Sequence, residues 1–136
     1  MGKTGELQAC NFLIHNGYTI LHTNWRYKHL EVDIIAQKED FLVFCEVKCR
    51  TSALFGMPES FVTRSKQKKI IAAATAFMQL FHIQKEVRFD IIAVLLSLSD
   101  LKNQLPSEYI HFCTQTSENQ QYTYIMHIKE AYIPQW

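Results

Sequence analysis

An aspartate on one predicted strand, with a glutamate and a lysine on the next, are the residues best suited to chemistry in this chain. Asp33 lies in the apolar segment 31–36, and Glu46 and Lys48 lie in the apolar segment 41–49. Charged side chains are costly in such segments unless they are paired or bind a ligand. Carboxylate oxygens suit Mg²⁺, which keeps several waters and takes phosphate oxygens from a substrate. A neighbouring lysine can position a water or offset charge on a phosphate. The pattern therefore favours phosphodiester hydrolysis with Mg²⁺, for which Mn²⁺ can substitute.

The turn between the two strands decides whether these charges meet. We predict a four-residue turn over residues 37–40, which pairs Ala36 with Phe41. Because side chains alternate across a strand, Asp33 then shares a sheet face with Glu46 and lies diagonal to it. A shift of one residue would reverse this facing.

Glu31 is a third candidate ligand on the same face. In the predicted register it lies opposite Glu46. Clustered carboxylates repel one another, and a divalent cation relieves the repulsion.

The alternative interpretation is a solvated sheet face on which glutamates and lysines pair across strands. An acidic–x–lysine tripeptide is a weak signal alone, because Asp100-Leu101-Lys102 is a second one in a predicted loop. The position of Asp33 one strand before Glu46 gives the first tripeptide its weight.

Basic side chains near the start of a predicted helix over about residues 60–81 are candidates for nucleic-acid binding. Such a cluster can contact the phosphate backbone, although a solvated helix face is the alternative. The candidates are the basic residues Arg64, Lys66, Lys68 and Lys69, with the neutral Gln67 as a residue that could line the site and Arg26, Lys28 and Arg50 as weaker ones.

Asp90 and Arg88 lie two positions apart in the apolar segment 88–96. Residues with this spacing share a face of a strand. We interpret them as a structural ion pair rather than as a metal site. The six histidines have no metal-ligand spacing and are interpreted as structural or surface residues.

The pattern of apolar residues predicts one α/β domain spanning residues 1–136. Helical spacing covers residues 4–15, and Gly17 follows as a left-handed cap. The predicted order is α-β-β-β-α-β with a mixed sheet flanked by helices, followed by extra strands over residues 109–113 and 122–128. The segment 88–96 is mostly apolar, as expected for a strand buried on both faces.

Composition excludes several classes of protein. With 48% hydrophobic residues the chain can form a core, and its net charge of +1 means that any nucleic-acid binding depends on local charge. The four cysteines form no C-x-x-C pair, which argues against a zinc ribbon. We found no signal peptide and no apolar run near the roughly 20 residues that span a bilayer. These features predict a cytoplasmic protein with no membrane association.

Eight short motifs occur in an order that resembles a known family. The chain is similar to the YraN-like family of predicted endonucleases, which is related to archaeal Holliday-junction resolvases within the restriction-endonuclease-like, PD-(D/E)xK superfamily. The motifs are Gly5-Glu6, Gly17-Tyr18, Asn24-Trp25-Arg26, residues 31–35, residues 44–50, Lys66-Gln67, Arg88-Phe89-Asp90 and residues 127–132. This chain departs from the family pattern at Leu30, Cys49 and Tyr132, where the family has glycine, threonine and phenylalanine.

The resemblance implies a restriction-endonuclease-like core and a nuclease-type metal site. Asp33, Glu46 and the Val47 carbonyl would be its ligands, and Lys48 its catalytic lysine. Glu6 matches a helix glutamate that reaches the same site in the resolvase relatives. Those relatives work as dimers, which implies a homodimer here, although the sequence carries no separate dimerisation signal.

Three hypotheses follow from the sequence. The first is a metal-dependent nuclease that hydrolyses DNA phosphodiester bonds, on branched or damaged DNA. The second is a non-catalytic nucleic-acid-binding module that acts through a partner. The third is an interaction protein whose acidic face is incidental.

Overall fold

The computed structural model describes residues 2–51, 62–112 and 121–134, in which two helices flank one sheet. The elements in chain order are α1 (Gly2–His15), β1 (Thr19–Tyr27), β2 (Leu30–Lys38), β3 (Phe41–Arg50), α2 (Arg64–Phe81), β4 (Glu86–Ser97), β5 (Ile110–His111) and β6 (Tyr122–Ile128). The predicted order of elements is confirmed.

The six strands form one mixed sheet in the order β1-β2-β3-β4-β6-β5. β3 and β4 pair in parallel, as strands joined by a crossover helix can, and the remaining neighbours are antiparallel. β4 lies in the middle of the sheet and is buried from Phe89 to Leu96. The prediction of a strand covered on both faces is confirmed.

The turn between β2 and β3 is shorter than predicted. The two strands extend to Lys38 and from Phe41, so only Glu39 and Asp40 connect them. Glu39 adopts a left-handed φ of 56°, as tight hairpin turns require. The predicted pairing of Ala36 with Phe41 is therefore wrong, because Ala36 pairs with Val43.

Each face of the sheet packs against one helix. Val43 and Cys45 of β3 face α1 and pack around Phe12 and Leu13. The alternate residues of β3, such as Phe44, face α2 and pack around Phe77 and Ile70. Further along β3, the same alternation turns Glu46 and Lys48 toward the α2 face.

The helices end as their sequences indicate. α1 is followed by Gly17, whose φ of 88° is left-handed. α2 begins after Thr63, whose side chain accepts a hydrogen bond from the Lys66 N–H, and ends at His82 with a φ of 52°. The predicted helix over about 60–81 thus starts at Arg64, and residues 60 and 61 lie outside the described residues. Neither described helix is long and apolar enough to cross a membrane.

Candidate active site

Asp33 and Glu46 lie where the pairing of β2 and β3 ends. The last paired residues are Ile34 and Cys45, and the two carboxylates follow one position further on. There the backbone N–H of Val47 donates a 2.8 Å hydrogen bond to Oδ2 of Asp33. The side chain of Asp33 thus continues the contact between the strands after the backbone ladder has stopped.

The predicted register around Asp33 is wrong by two residues. Phe44 pairs with Ile35 and not with Asp33, and the placement of Glu31 opposite Glu46 is wrong for the same reason. Because side chains alternate with a period of two, an even error leaves the facing unchanged. Asp33 and Glu46 still come together, and the Glu46 carboxylate acts on the pKa of Asp33.

Burial and like charge raise the pKa of Asp33 from its ordinary value of 3.8 to about 7. Loss of solvent is the largest cause, and the negative charges of Glu46 and Glu6 add to it. The Val47 N–H opposes the shift, because it stabilises the ionised form. The arrangement therefore favours a proton or a cation between the two carboxylates at neutral pH.

Two lysines approach Glu46 from different elements. The Glu46 side chain is only 7% exposed, and its Oε1 lies 3.6 Å from Nζ of Lys48 on the same strand. Nζ of Lys66, from the first turn of α2, lies 3.9 Å from the same oxygen. Both lysines were predicted to act on a phosphate, but their contact at one carboxylate was not predicted.

Glu6 reaches this region from the opposite face of the sheet. Asn24 of β1 donates a 2.9 Å hydrogen bond to Oε2 of Glu6. Asn24 has a left-handed φ of 50°, a conformation that asparagine tolerates better than most residues. No role at the site was predicted for Asn24, although it lies in one of the eight motifs.

A glycine lets α1 approach the sheet next to Glu6. A Cβ on Gly5 would lie 2.6 Å from Cβ of Cys49 and 2.7 Å from its Sγ. Any larger residue at this position would move α1 away from β3, and Glu6 with it.

Glu31 takes part in a different contact. It lies across from Arg26 on β1, and the two side chains form an exposed ion pair at 3.6 Å. The carboxylates that shift the pKa of Asp33 are those of Glu46 and Glu6. On β1, Arg26 is therefore paired with Glu31.

The donor set fits a cation held by few protein ligands. Among the described residues, no three His, Cys, Asp or Glu side chains are close enough together to hold a metal ion. Asp33 and Glu46 nevertheless supply two hard oxygen donors whose repulsion a divalent cation would relieve. Mg²⁺ is commonly bound by one or two carboxylates with waters and substrate oxygens completing the shell.

The residues predicted to bind nucleic acid do not all lie together. Arg64, Gln67 and Lys68 line a cavity beside α2, together with Ile71 and Ile133. Lys69 is exposed on the same helix, and the guanidinium of Arg50 bonds to the Cys49 carbonyl at 2.9 Å.

A second polar cluster is buried on the α1 side of the sheet. Arg88 donates two hydrogen bonds to Asp90, at 2.9 and 2.8 Å, which confirms the predicted ion pair. The same guanidinium bonds to the Tyr18 hydroxyl, and Nε2 of His127 lies 2.6 Å from Oδ2 of Asp90. Burial alone would raise the pKa of Asp90, but the bonds to His127 and Arg88 outweigh it and lower the pKa. The roles of Tyr18 and His127 were not predicted.

The fold and the site define a mixed α/β protein with paired carboxylates and two lysines at the end of a strand pair. Residues 5–94 match the model of the family described as "Uncharacterised protein family UPF0102". The chain belongs to the UPF0102 family.

Relatives in several bacteria support this membership. A UPF0102 protein of Bacteroides thetaiotaomicron is 50% identical over 95 residues, which cover 70% of this chain and 78% of the relative. A UPF0102 protein of Flavobacterium psychrophilum is 41% identical over 113 residues, which cover 82% of this chain and 95% of the relative. A UPF0102 protein of Bacteroides fragilis is 35% identical over 134 residues, which cover 98% of this chain and 93% of the relative.

Proposed function

We propose that the protein is a metal-dependent nuclease with a restriction-endonuclease-like core that hydrolyses DNA phosphodiester bonds. The observation that carries this proposal is the meeting of Asp33 and Glu46 at the end of the β2–β3 ladder, with Lys48 and Lys66 beside Glu46. Buried carboxylates that repel each other beside fixed cations are typical of a site for a divalent cation and an anionic substrate. The PD-(D/E)xK pattern of Asp33, Glu46 and Lys48 supports the same interpretation.

Asp33 and Glu46 would hold Mg²⁺ or Mn²⁺, with the Val47 carbonyl as a further ligand. The cation would supply Lewis acidity toward a phosphate oxygen. Lys48 is only 23% exposed and is held near Glu46, so its ammonium can orient a water or offset charge on the phosphate in the transition state. Glu6 contributes negative charge from α1 and is oriented by Asn24.

The substrate proposed is branched or damaged DNA. The basic residues of α2 would contact phosphates, which positions a strand without identifying its sequence. Few of the described side chains near the site are suited to hydrogen bonding with base edges, so selection by structure or by a strand end is favoured over sequence recognition.

Cleavage by Lys48→Ala tests this proposal. Wild-type protein with Mg²⁺ is expected to cleave at least one of duplex, single-stranded and four-way-junction DNA. The Lys48→Ala substitution is expected to reduce the cleavage rate by about 10²–10³, which is the typical effect of removing one group that stabilises transition-state charge. Lys102→Ala is the matched control, because Lys102 belongs to the second acidic–x–lysine tripeptide and is exposed. Cleavage that Lys48→Ala leaves unchanged contradicts the assigned role. Binding of DNA without cleavage by the wild type supports the binding module that acts through a partner.

A further inference from the structure

We propose that a cavity beside α2 binds an unpaired nucleotide of the DNA strand held at the active site. This inference rests on the proposed function and specifies its substrate. The cavity, here called the α2 pocket, is lined by Arg64, Gln67, Lys68, Ile71 and Ile133 and has a volume of about 550 Å³. Small-molecule sites commonly measure roughly 300–1,000 Å³, so a single nucleotide fits by size.

One wall of the α2 pocket is a continuous stripe of the helix. Arg64, Gln67, Lys68 and Ile71 follow the spacing i, i+3, i+4, i+7, which places them on one side of α2. The two cations stand toward the helix N-terminus and Ile71 lies one turn further on. This sequence of charge followed by apolar surface matches a nucleotide, which has a phosphate at one end and a flat base at the other.

Gln67 lies between Arg64 and Lys68 along this wall. Its Nε2 donates a 3.2 Å hydrogen bond to the Val62 carbonyl, which fixes the orientation of the amide. The amide retains a second N–H and a carbonyl oxygen, and these can bond to the edge of a base.

Ile133 also lines the α2 pocket, and its side chain is 74% exposed. Just before it, the Ala131 N–H bonds to the Phe89 carbonyl at 2.8 Å, and the Glu130 N–H bonds to Asp90 at 3.0 Å. The ring of Tyr132 stacks on Phe89 with centroids 5.2 Å apart. Three contacts with β4 thus hold the segment that presents this apolar side chain to the α2 pocket, where it can pack against a base.

Lys66 and the lining of the α2 pocket belong to the first turns of the same helix. Lys66 lies between Arg64 and Lys68 in the chain but points to the sheet, where its Nζ lies 3.9 Å from Oε1 of Glu46. A strand with one phosphate at Glu46 and Lys66 would pass the start of α2, and a nearby nucleotide would turn into the pocket on the other side of the helix. In a duplex that base is paired and stacked, so only an unpaired base can place its face against the isoleucines.

Binding without cleavage tests this inference separately from the proposed function. Fluorescence anisotropy in EDTA compares a blunt duplex with the same duplex carrying a single-stranded tail. We expect the wild type to bind the tailed duplex about tenfold more tightly, about 1.4 kcal/mol in binding free energy, because the unpaired base packs on apolar side chains. Ile133→Ser is expected to abolish this preference and leave the affinity for the blunt duplex unchanged.

Ile14→Ser is the matched control, because Ile14 is also an exposed isoleucine, 57% accessible, and lies on α1. It is expected to keep the full preference for the tail. Equal affinity of the wild type for both DNAs, or a preference that survives in Ile133→Ser, overturns the inference. A free deoxynucleoside monophosphate that binds as tightly as the tail also overturns it, because the pocket is then a site for free nucleotides. Loss of cleavage in Mg²⁺ leaves this binding test intact.

Discussion

The backbone N–H of Val47 donates a hydrogen bond of 2.8 Å to Oδ2 of Asp33, one position beyond the last paired residues of β2 and β3. If the strand pairing continued, this N–H would donate to a backbone carbonyl of the neighbouring strand. The side chain of Asp33 takes that place and is thereby fixed against β3, next to Glu46. The end of the strand pair thus holds together two carboxylates that repel each other.

The first prediction concerns the pH dependence of stability in EDTA. The pKa of Asp33 is about 7 in the folded protein and 3.8 ordinarily, so between these values the folded state holds a proton that the unfolded state has lost. The free energy of unfolding should therefore fall as pH rises from about 4 to about 7. Asp33→Asn, which keeps an oxygen for the Val47 N–H, should remove most of this decline and be the more stable protein at pH 8, by a few kcal/mol. Denaturant unfolding measured across this pH range checks it.

Asp40→Asn provides the control, because Asp40 is an exposed aspartate in the turn between the same two strands. Its pH profile should follow the wild type. A wild-type stability that rises steadily between pH 4 and 7, with Asp33→Asn parallel to it, would show that Asp33 is ionised without penalty.

The second prediction concerns metal binding. Millimolar Mg²⁺ or Mn²⁺ should raise the melting temperature, because a ligand of the folded state at 100 times its Kd stabilises by about 2.7 kcal/mol. Asp33→Asn and Glu46→Gln should each abolish the increase, whereas Asp100→Asn, which alters the other acidic–x–lysine tripeptide, should retain it. No shift in the wild type at millimolar metal counts against a metal site, whatever the variants do.

The sequence predicted the meeting of Asp33 and Glu46 better than it predicted their register. Alternation alone placed Asp33 and Glu46 on one face, and the error of two residues in the turn preserved that result. The turn length was misjudged because Glu39-Asp40 lacks the Asn-Gly or Asp-Gly signal of two-residue hairpins.

The periodicity of apolar residues could not predict contacts between segments that are distant in the chain. The approach of Lys66 to Glu46 depends on how α2 packs over β3, and the bond between Asn24 and Glu6 depends on a left-handed residue within a strand. His127 joins Asp90 across 37 residues of chain. A pattern of apolar spacing defines which face a residue occupies, but not which side chain from another element meets it there.

The third prediction concerns the buried Asp90 cluster. Asp90 is fully buried and accepts bonds from Arg88, from His127 and from the Glu130 N–H. Asp90→Asn leaves the Arg88 guanidinium, only 13% exposed, without its counter-charge, so we expect a loss of about 3–5 kcal/mol in the free energy of unfolding. Because the pKa of Asp90 is lowered, its contribution is present above the ordinary value of 3.8 and is lost as pH falls through the folded value. Equilibrium unfolding in urea at pH 7 and at low pH measures both effects.

A loss that is the same at low pH and at pH 7 would contradict this account of Asp90. Asp40→Asn again serves as the exposed control. Asp90 and Asp33 change the stability in opposite directions as pH rises. The wild-type protein should therefore gain stability at the acidic end, where Asp90 ionises, and lose stability toward neutral pH, where Asp33 ionises.

The last prediction concerns Tyr132, where the resembling family has phenylalanine. Its hydroxyl is buried and has no hydrogen-bond partner among the described residues, and burial, with Glu46 next, raises the pKa of this side chain. A buried polar group without a partner costs roughly 1–3 kcal/mol, so Tyr132→Phe should stabilise the protein by about 1 kcal/mol and raise Tm by roughly 3 °C. Tyr124→Phe is the comparison in which a bonded hydroxyl is removed. The Tyr124 hydroxyl accepts a hydrogen bond from the Leu101 N–H at 2.8 Å and donates one to Asp100 at 2.9 Å. That variant should lower Tm. Equal losses in both variants would mean that the Tyr132 hydroxyl is bonded in solution.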